Sequence, residues 1–107
     1  MKRIPPAIQE EERYLRFRVH GEEKDIGDVV DAVWKSATVF MGTKGVSKAD
    51  IWTIGNKFDT EEQRGIIKVH KEKVSEIRAA LTINSSFDDD SFISIEKVSG
   101  TIAALED

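Results

Sequence analysis

The chain has 107 residues, of which 39% are hydrophobic and 34% are charged, and it contains no cysteine. This length and balance are typical of one globular domain with a single core, here taken as residues 1–107. The lack of cysteine excludes disulfides, thiolate metal sites and cysteine nucleophiles, and it favours a reducing compartment. The formal net charge of −4 argues against nucleic-acid binding by bulk electrostatics, so any RNA contact needs a local basic patch.

The first ten residues contain Pro5 and Pro6 and no apolar run of the length found in signal peptides. No later segment is apolar enough to span a bilayer. We therefore expect no membrane partner, a cytoplasmic protein (nuclear if eukaryotic), and an extended segment over residues 1–10.

The first predicted strand covers residues 13–20, where apolar and polar residues alternate strictly. Leu15, Phe17 and Val19 fall on one side of this strand. The residues on the other side are Tyr14, Arg16, Arg18 and His20. This pattern predicts a strand with one buried and one exposed face.

A helix is predicted after Gly21, with Asp25 as the N-cap and Gly42 as the stop. Strands are predicted over residues 49–58 and 65–70, joined as a hairpin by the polar segment 59–63. A second helix over 71–83 ends at Asn84, Ser85 and Ser86. A last strand covers 92–98, and a short turn covers 101–105.

This order of elements, strand, helix, strand, strand, helix, strand, predicts an α+β domain of the ferredoxin-like, RNA-recognition-motif-like βαββαβ class. In such a fold both helices pack on one face of an antiparallel sheet. The other face of the sheet is then available to bind a partner.

No constellation of residues indicates catalysis or metal binding. His20 and His70 are the only histidines, and neither has a second ligand at metal-binding spacing. The acidic run 88–90 lacks the glycine turn and the distal glutamate of a calcium loop, and residues 42–45 do not form a phosphate-binding loop. We predict no catalytic residue, no metal ligand and no cofactor bound by the protein.

The strongest signal for binding is the exposed side of the first strand, where cationic side chains alternate with rings that can stack on bases. Arg64 and Lys68 on the third strand offer contacts to phosphate. The simpler alternative is a solvated strand surface. Trp34, Phe40 and Met41 on the first helix either pack in the core or anchor a protein partner.

Taken in order, several short motifs resemble the ribonuclease P protein component 2 family of archaea and its eukaryotic relatives. The motifs are residues 13–17 (RYLRF) with Val19, Trp34, residues 40–42 (FMG), Gly45, residues 57–59 (KFD), residues 65–67 (GII), Val74, residues 77–78 (IR), residues 80–81 (AL) and residues 98–102 (VSGTI). The resemblance covers nearly the full chain.

The resemblance implies a noncatalytic subunit of the ribonucleoprotein endonuclease that hydrolyses precursor tRNA to remove its 5′ leader. The RNA would carry the active site and use Mg²⁺. The implied partners are ribonuclease P RNA, the TIM-barrel subunit called component 3, other protein subunits and precursor tRNA. The predicted RNA-binding residues are Tyr14, Arg16, Arg18, His20, Lys44, Arg64 and Lys68, and the predicted partner-binding residues are Trp34, Phe40 and Met41.

Two other functions are compatible with this fold. One is a regulatory domain that binds a small molecule, since ferredoxin-like domains have many functions. The other is an acylphosphatase-like enzyme, for which Arg18 and Asn56 are the nominal phosphate and water ligands.

Overall fold

A computed structural model describes residues 11–83 and 87–106, except for the side chain of Asn56. The predicted extended segment 1–10, the helix end at residues 84–86 and the Asn56 side chain therefore lie outside the described residues. Within them, four antiparallel strands form one sheet, with the two longer helices on one face. The strands are β1 (Glu12–His20), β2 (Trp52–Thr53), β3 (Arg64–His70) and β4 (Phe92–Ser99), and their order in the sheet is β2-β3-β1-β4. The predicted ferredoxin-like class is confirmed.

Strand β1 (Glu12–His20) forms as its alternation predicts. Leu15 and Phe17 are fully buried and Val19 is 4% exposed. The strand lies in the middle of the sheet, between β3 (Arg64–His70) and β4 (Phe92–Ser99). Both neighbours thus hold the polar side of β1 in a fixed position.

Helix α1 (Ile26–Ala49) begins where the sequence predicts but extends beyond the predicted stop. The Asp25 carboxylate accepts a hydrogen bond of 2.9 Å from the backbone N–H of Asp28. Gly42, at φ 77° and ψ 167°, interrupts the helix, which then resumes. The helical geometry continues to Ala49 because Val46 and Ala49 bury their side chains in the core.

The predicted strand over 49–58 is wrong over most of its length. Residues up to Ala49 are helical, and strand β2 consists of Trp52–Thr53 alone, followed by a short 3-10 turn at Gly55–Lys57. The predicted antiparallel pairing of β2 with β3 is confirmed. Asp59 closes the connection, since its carboxylate accepts hydrogen bonds from the N–H groups of Glu61 and Glu62.

Helix α2 (Val74–Ile83) follows a 3-10 turn at Lys71–Lys73 and buries Ile77, Ala80 and Leu81. The core lies between the inner face of the sheet and the two helices. Its fully buried members include Leu15, Phe17, Val29, Ala37, Ala49, Ile67, Val69, Ile77 and Leu81. The opposite face of the sheet is left uncovered by α1 and α2.

That opposite face is not fully available, which corrects the sequence-based expectation. The predicted C-terminal turn is a short helix, α3 (Ile102–Leu105), capped by the Thr101 hydroxyl, which accepts a hydrogen bond from the N–H of Ala104. Leu105 is fully buried, and Ile66, whose position in β3 faces away from the main core, is 4% exposed. Leu105, Ile66 and Arg16 line a common groove. Helix α3 therefore covers part of the sheet face opposite α1 and α2.

Candidate nucleic-acid interface

The face of the sheet opposite α1 and α2, hereafter the open face, contains six of the seven predicted RNA-binding residues. The strand register sets Tyr14 across from Lys68 and Arg18 across from Arg64. His20 lies across from Phe92 on the other neighbouring strand. The six residues are Tyr14, Arg16, Arg18, His20, Arg64 and Lys68. The alternation of β1 and its antiparallel pairing thus bring residues from distant parts of the chain onto one surface.

A β-bulge in β4 adds a carboxylate to the open face. Arg16 pairs with Lys97 and Phe17 pairs with Ile95, so Glu96 is an extra residue between these two pairs. A bulge redirects side chains near the extra residue. Glu96 and Lys97 both therefore extend over the open face.

Glu96 holds two of the predicted RNA-binding arginines. Its Oε1 atom accepts hydrogen bonds from the Nε atoms of Arg16 at 3.2 Å and Arg64 at 2.9 Å. Partial burial by itself would raise the pKa of Glu96, but the hydrogen bond and charge of Arg64, together with those of Arg16, outweigh it and lower this pKa. In turn, the hydrogen bond to Glu96 raises the pKa of Arg64. The charges of Arg16 and Arg64 are therefore partly neutralised within the chain.

Lys68, at the other end of β3, is neutralised in the same way. Lys68 Nζ lies 3.1 Å from the Glu12 carboxylate, and His70 Nε2 lies 3.4 Å from the Glu11 carboxylate. These acids belong to the run that precedes the basic side of β1. An RNA that contacts Lys68 must displace or share this ion pair.

Helix α3 supplies further acceptors to the open face. Arg16 donates a hydrogen bond of 2.7 Å to the carbonyl of Leu105, and Lys97 donates one of 2.9 Å to the carbonyl of Ala104. These carbonyls form the negative end of the helix, where cations are stabilising. Lys57 also lies 2.8 Å from the carboxylate of Glu106. Arg16 is thus bound both by a carboxylate and by a backbone carbonyl.

Arg18 differs from Arg16, Arg64 and Lys68, because it forms no ion pair with any side chain in the described ranges. Arg64, its neighbour across the strands, turns to Glu62 and Glu96 instead. Arg18 is half-buried and belongs to the same strand face as His20. It is therefore the cation of this surface that is best placed to meet a phosphate.

Phe92 is a residue of the open face that the sequence did not single out. Its ring stacks on His20 with the centroids 4.6 Å apart and an angle of 10° between the planes, and it is 50% exposed. A signal was present, because Phe92 and Ser94 alternate with the apolar Ile93 and Ile95. The stacking itself depends on the pairing of β1 with β4.

Lys44, the seventh predicted residue, is not part of the open face. It lies on α1, in the helical segment after Gly42, and it is exposed. Because α1 packs on the other face of the sheet, a ligand on the open face does not reach Lys44 without surrounding the domain.

The predicted partner-binding residues all lie on α1, and two of the three are exposed. Trp34 is 40% exposed, Phe40 is 45% exposed, and Met41 packs against the core. Trp52 of β2 is 62% exposed and lines a groove with Trp34 and Val30, so core packing is not its role. Exposed aromatic side chains in a cluster are typical of protein interfaces.

Within residues 11–83 and 87–106, no three histidine or acidic side chains are grouped so as to hold a metal ion. Asp89 of the acidic run is instead bound to Lys24 and to the N–H of Ser91, and its pKa is lowered mainly by the hydrogen bond from Lys24. No helix in the described part of the chain is long and apolar enough to cross a membrane.

Comparison with known proteins relates this architecture to a family. Residues 13–107 match the model of the Rpp14/Pop5 family. Ribonuclease P protein component 2 of Thermococcus gammatolerans is 36% identical over 109 residues, which covers 98% of this chain and 88% of that protein. The protein of the same name from Pyrococcus furiosus is 32% identical, with 98% of this chain and 88% of the relative covered.

A solved structure shares the fold at low sequence identity. A chain in a structure described as a cryo-EM structure of yeast ribonuclease MRP superposes with a TM-score of 0.51 and 14% identity, over 86% of this chain and 76% of that one. This likeness supports the α+β fold alone. The family match over residues 13–107 and the identity with the archaeal proteins show more: this chain belongs to the Rpp14/Pop5 family.

Proposed function

We propose that this chain is a protein subunit of ribonuclease P, the ribonucleoprotein that removes the 5′ leader from precursor tRNA. The observation that carries the proposal is the identity of 36% with archaeal ribonuclease P protein component 2 over 98% of the chain. Six of the seven predicted RNA-binding residues on one sheet face give the proposal a physical basis.

The protein's contribution is to bind and not to catalyse. Cations on a sheet face neutralise phosphates that crowd together when RNA folds, which favours the folded RNA over competing conformations. Such a role needs no general acid or base. The chemistry and the Mg²⁺ ions belong to the partner RNA in this proposal, and the chain alone has no nuclease activity.

Two separate surfaces of the chain bind different partners. The open face contacts ribonuclease P RNA through Arg18, with the other cations joining as their ion pairs exchange. The exposed aromatic residues of α1, Trp34 and Phe40, contact the TIM-barrel subunit, component 3. Precursor tRNA is the substrate of the whole complex, which includes other protein subunits and acts in the cytoplasm (in the nucleus if the source is eukaryotic).

Reconstitution tests this function directly. Cleavage of precursor tRNA by ribonuclease P RNA from the same source is measured at limiting Mg²⁺, with component 3 present and this chain added or omitted. We expect the rate to depend on this chain, and we expect added Mg²⁺ to replace part of the effect. An unchanged rate on omission contradicts the proposal.

A variant separates RNA contact from folding in the same assay. Reversing charge at Arg18 with Arg18→Glu is expected to lower RNA affinity and cleavage at limiting Mg²⁺ while the circular dichroism spectrum stays that of the native chain. Lys48→Glu serves as the matched control, because Lys48 is an exposed cation on α1. Equal losses for both variants would mean that only net charge matters.

A further inference from the structure

The corner of the open face where β1 ends and β4 begins combines two stacked rings with an unneutralised cation. Phe92 and His20 lie face to face, and Arg18 lies two residues before His20 on the same side of β1. Alternate residues of a strand are about 7 Å apart. This spacing puts a positive charge within one side-chain length of the rings.

We propose that Phe92 and His20 form a stacking platform for one unpaired nucleobase of RNA, and that Arg18 contacts the adjoining phosphate. The site rests on the proposed function, which it deepens by naming the kind of RNA element that is bound. Every base has a π face, so stacking on aromatic side chains accepts any base that is splayed out of a helix. Half of the surface of Phe92 remains exposed, so a base can extend the stack by one layer.

The corner is held in place by contacts that leave the ring of Phe92 exposed. Nε2 of His20 lies 2.8 Å from the hydroxyl of Ser94, which fixes the orientation of the imidazole. Gly21, at φ 117°, brings the end of β1 so close to Ser91 that a Cβ atom at this position would lie 2.9 Å from the Cα atom of Ser91. The hydroxyl of Ser91 also accepts a hydrogen bond of 3.1 Å from the N–H of Glu22. A preorganised platform loses little entropy when it binds a base.

The remainder of the open face is less suited to an unpaired base. Arg16 is bound by Glu96 and by the carbonyl of Leu105, and α3 lies over this part of the sheet. Lys68 is paired with Glu12. The corner is therefore the part of the described open face where an exposed ring and a cation without an ion pair occur together.

The test uses a short single-stranded oligouridylate with one internal 2-aminopurine, whose fluorescence falls when the base stacks. The same oligonucleotide annealed to its complement is the paired control. We expect the native chain to quench and bind the single strand and to bind the duplex without quenching. Absence of binding or quenching with the single strand would overturn the proposal.

Two substitutions at Phe92 separate stacking from apolar contact. Phe92→Leu keeps an apolar side chain in the strand but removes the ring, and we expect it to weaken single-strand binding on the order of 10-fold. Phe92→Trp keeps a ring and should retain binding. Ile83→Ala, at a residue 72% exposed on α2, is the control for loss of exposed apolar surface and should bind as the native chain does. Equal affinity for Phe92→Leu and the native chain would overturn the platform.

The histidines provide a second readout in the same samples. On adding the single strand, we expect the ring resonances of His20 to move upfield, while those of His70, near the other end of the open face, stay in place. Equal movement of both would overturn a localised platform. Loss of a copurifying protein by Phe92→Leu, with RNA binding unchanged, would assign the corner to a protein partner instead.

The outcome for this site is distinguishable from that for the proposed function. If cleavage of precursor tRNA depends on the chain but Phe92→Leu binds the single strand normally, the platform fails and the function stands. If the single strand is bound through Phe92 but cleavage is independent of the chain, the function fails and the stacking site stands.

Discussion

Two regions of the open face differ in whether their cations are paired with acceptors of the chain. Around the β4 bulge, Arg16 and Arg64 share the carboxylate of Glu96, and α3 adds a carbonyl to Arg16. At the corner beyond the bulge, Arg18 forms no ion pair with a described side chain, and Phe92 keeps half of its surface exposed. Charge alone thus does not define a binding surface; what matters is which charges the fold has left unused.

The region covered by α3 can be tested by removing the Leu105 side chain, which holds α3 on the sheet. Leu105→Ala deletes a fully buried side chain and should lower the free energy of unfolding by roughly 3 kcal/mol. We expect α3 to be the element that loosens most. Urea unfolding measures the effect. Ile83→Ala, at an exposed residue, should change the stability by less than about 0.5 kcal/mol. Similar losses for both variants would show that α3 is not anchored through Leu105.

The corner of the open face can be tested at Gly21, where β1 approaches Ser91 closely. Gly21→Ala forces a side chain into positive φ and against Ser91, so we expect a loss of about 2 kcal/mol and weaker single-strand binding. Gly27→Ala is the matched control in the first turn of α1, where the new Cβ atom would meet only the Asp25 carboxylate at 3.5 Å. This control should be neutral or slightly stabilising. A neutral Gly21→Ala would contradict the close approach of β1 and β4.

The use of charge in the two regions can be compared with one pair of variants. Arg18→Gln should weaken binding to ribonuclease P RNA several-fold and reduce the slope of log affinity against log salt by about 1. Arg16→Gln should have a smaller effect, because Glu96 and Leu105 already engage this guanidinium. Affinity measured over a salt series decides, and a larger effect for Arg16→Gln would reverse our ranking of the two regions.

The smallest expected effect is the pH dependence of the stability contributed by Glu96 through its ion pairs with Arg16 and Arg64. The folded-state pKa of Glu96 lies below its ordinary value of 4.5, so its contribution to stability is present above that pH and is lost as the pH falls through the folded value. Solvent screening limits this contribution to less than about 1 kcal/mol. The difference in unfolding free energy between the native chain and Glu96→Gln should therefore shrink in acid, and a difference that grows there would refute the assignment.

The local features of the fold could be predicted from sequence. The alternation in β1 places Leu15 and Phe17 in the core, and Asp25 caps α1, because both depend on neighbouring residues. Gly42 was misleading, since a glycine can interrupt a helix without ending it when later residues such as Val46 are buried. The predicted second strand was too long for another reason, since Gly55–Lys57 form a 3-10 turn.

The non-local features of the candidate site could not be predicted in this way. The bulge at Glu96 is a property of the register between β1 and β4, and no local pattern specifies it. The stacking of Phe92 on His20 and the cover by α3 likewise join segments far apart in the chain. Sequence patterns could identify six residues of the open face, but not which of their charges were already in use.

The bulge also matters for the behaviour of the protein in solution. Strand β4 is an edge of the sheet and, at eight residues, is long enough to pair with the edge of another molecule. Exposed edges of this length promote aggregation unless they are irregular or charged. The extra residue Glu96 makes this edge irregular, and Glu96 and Lys97 make it charged. The feature that neutralises two arginines on the open face thus also protects the chain against uncontrolled sheet extension.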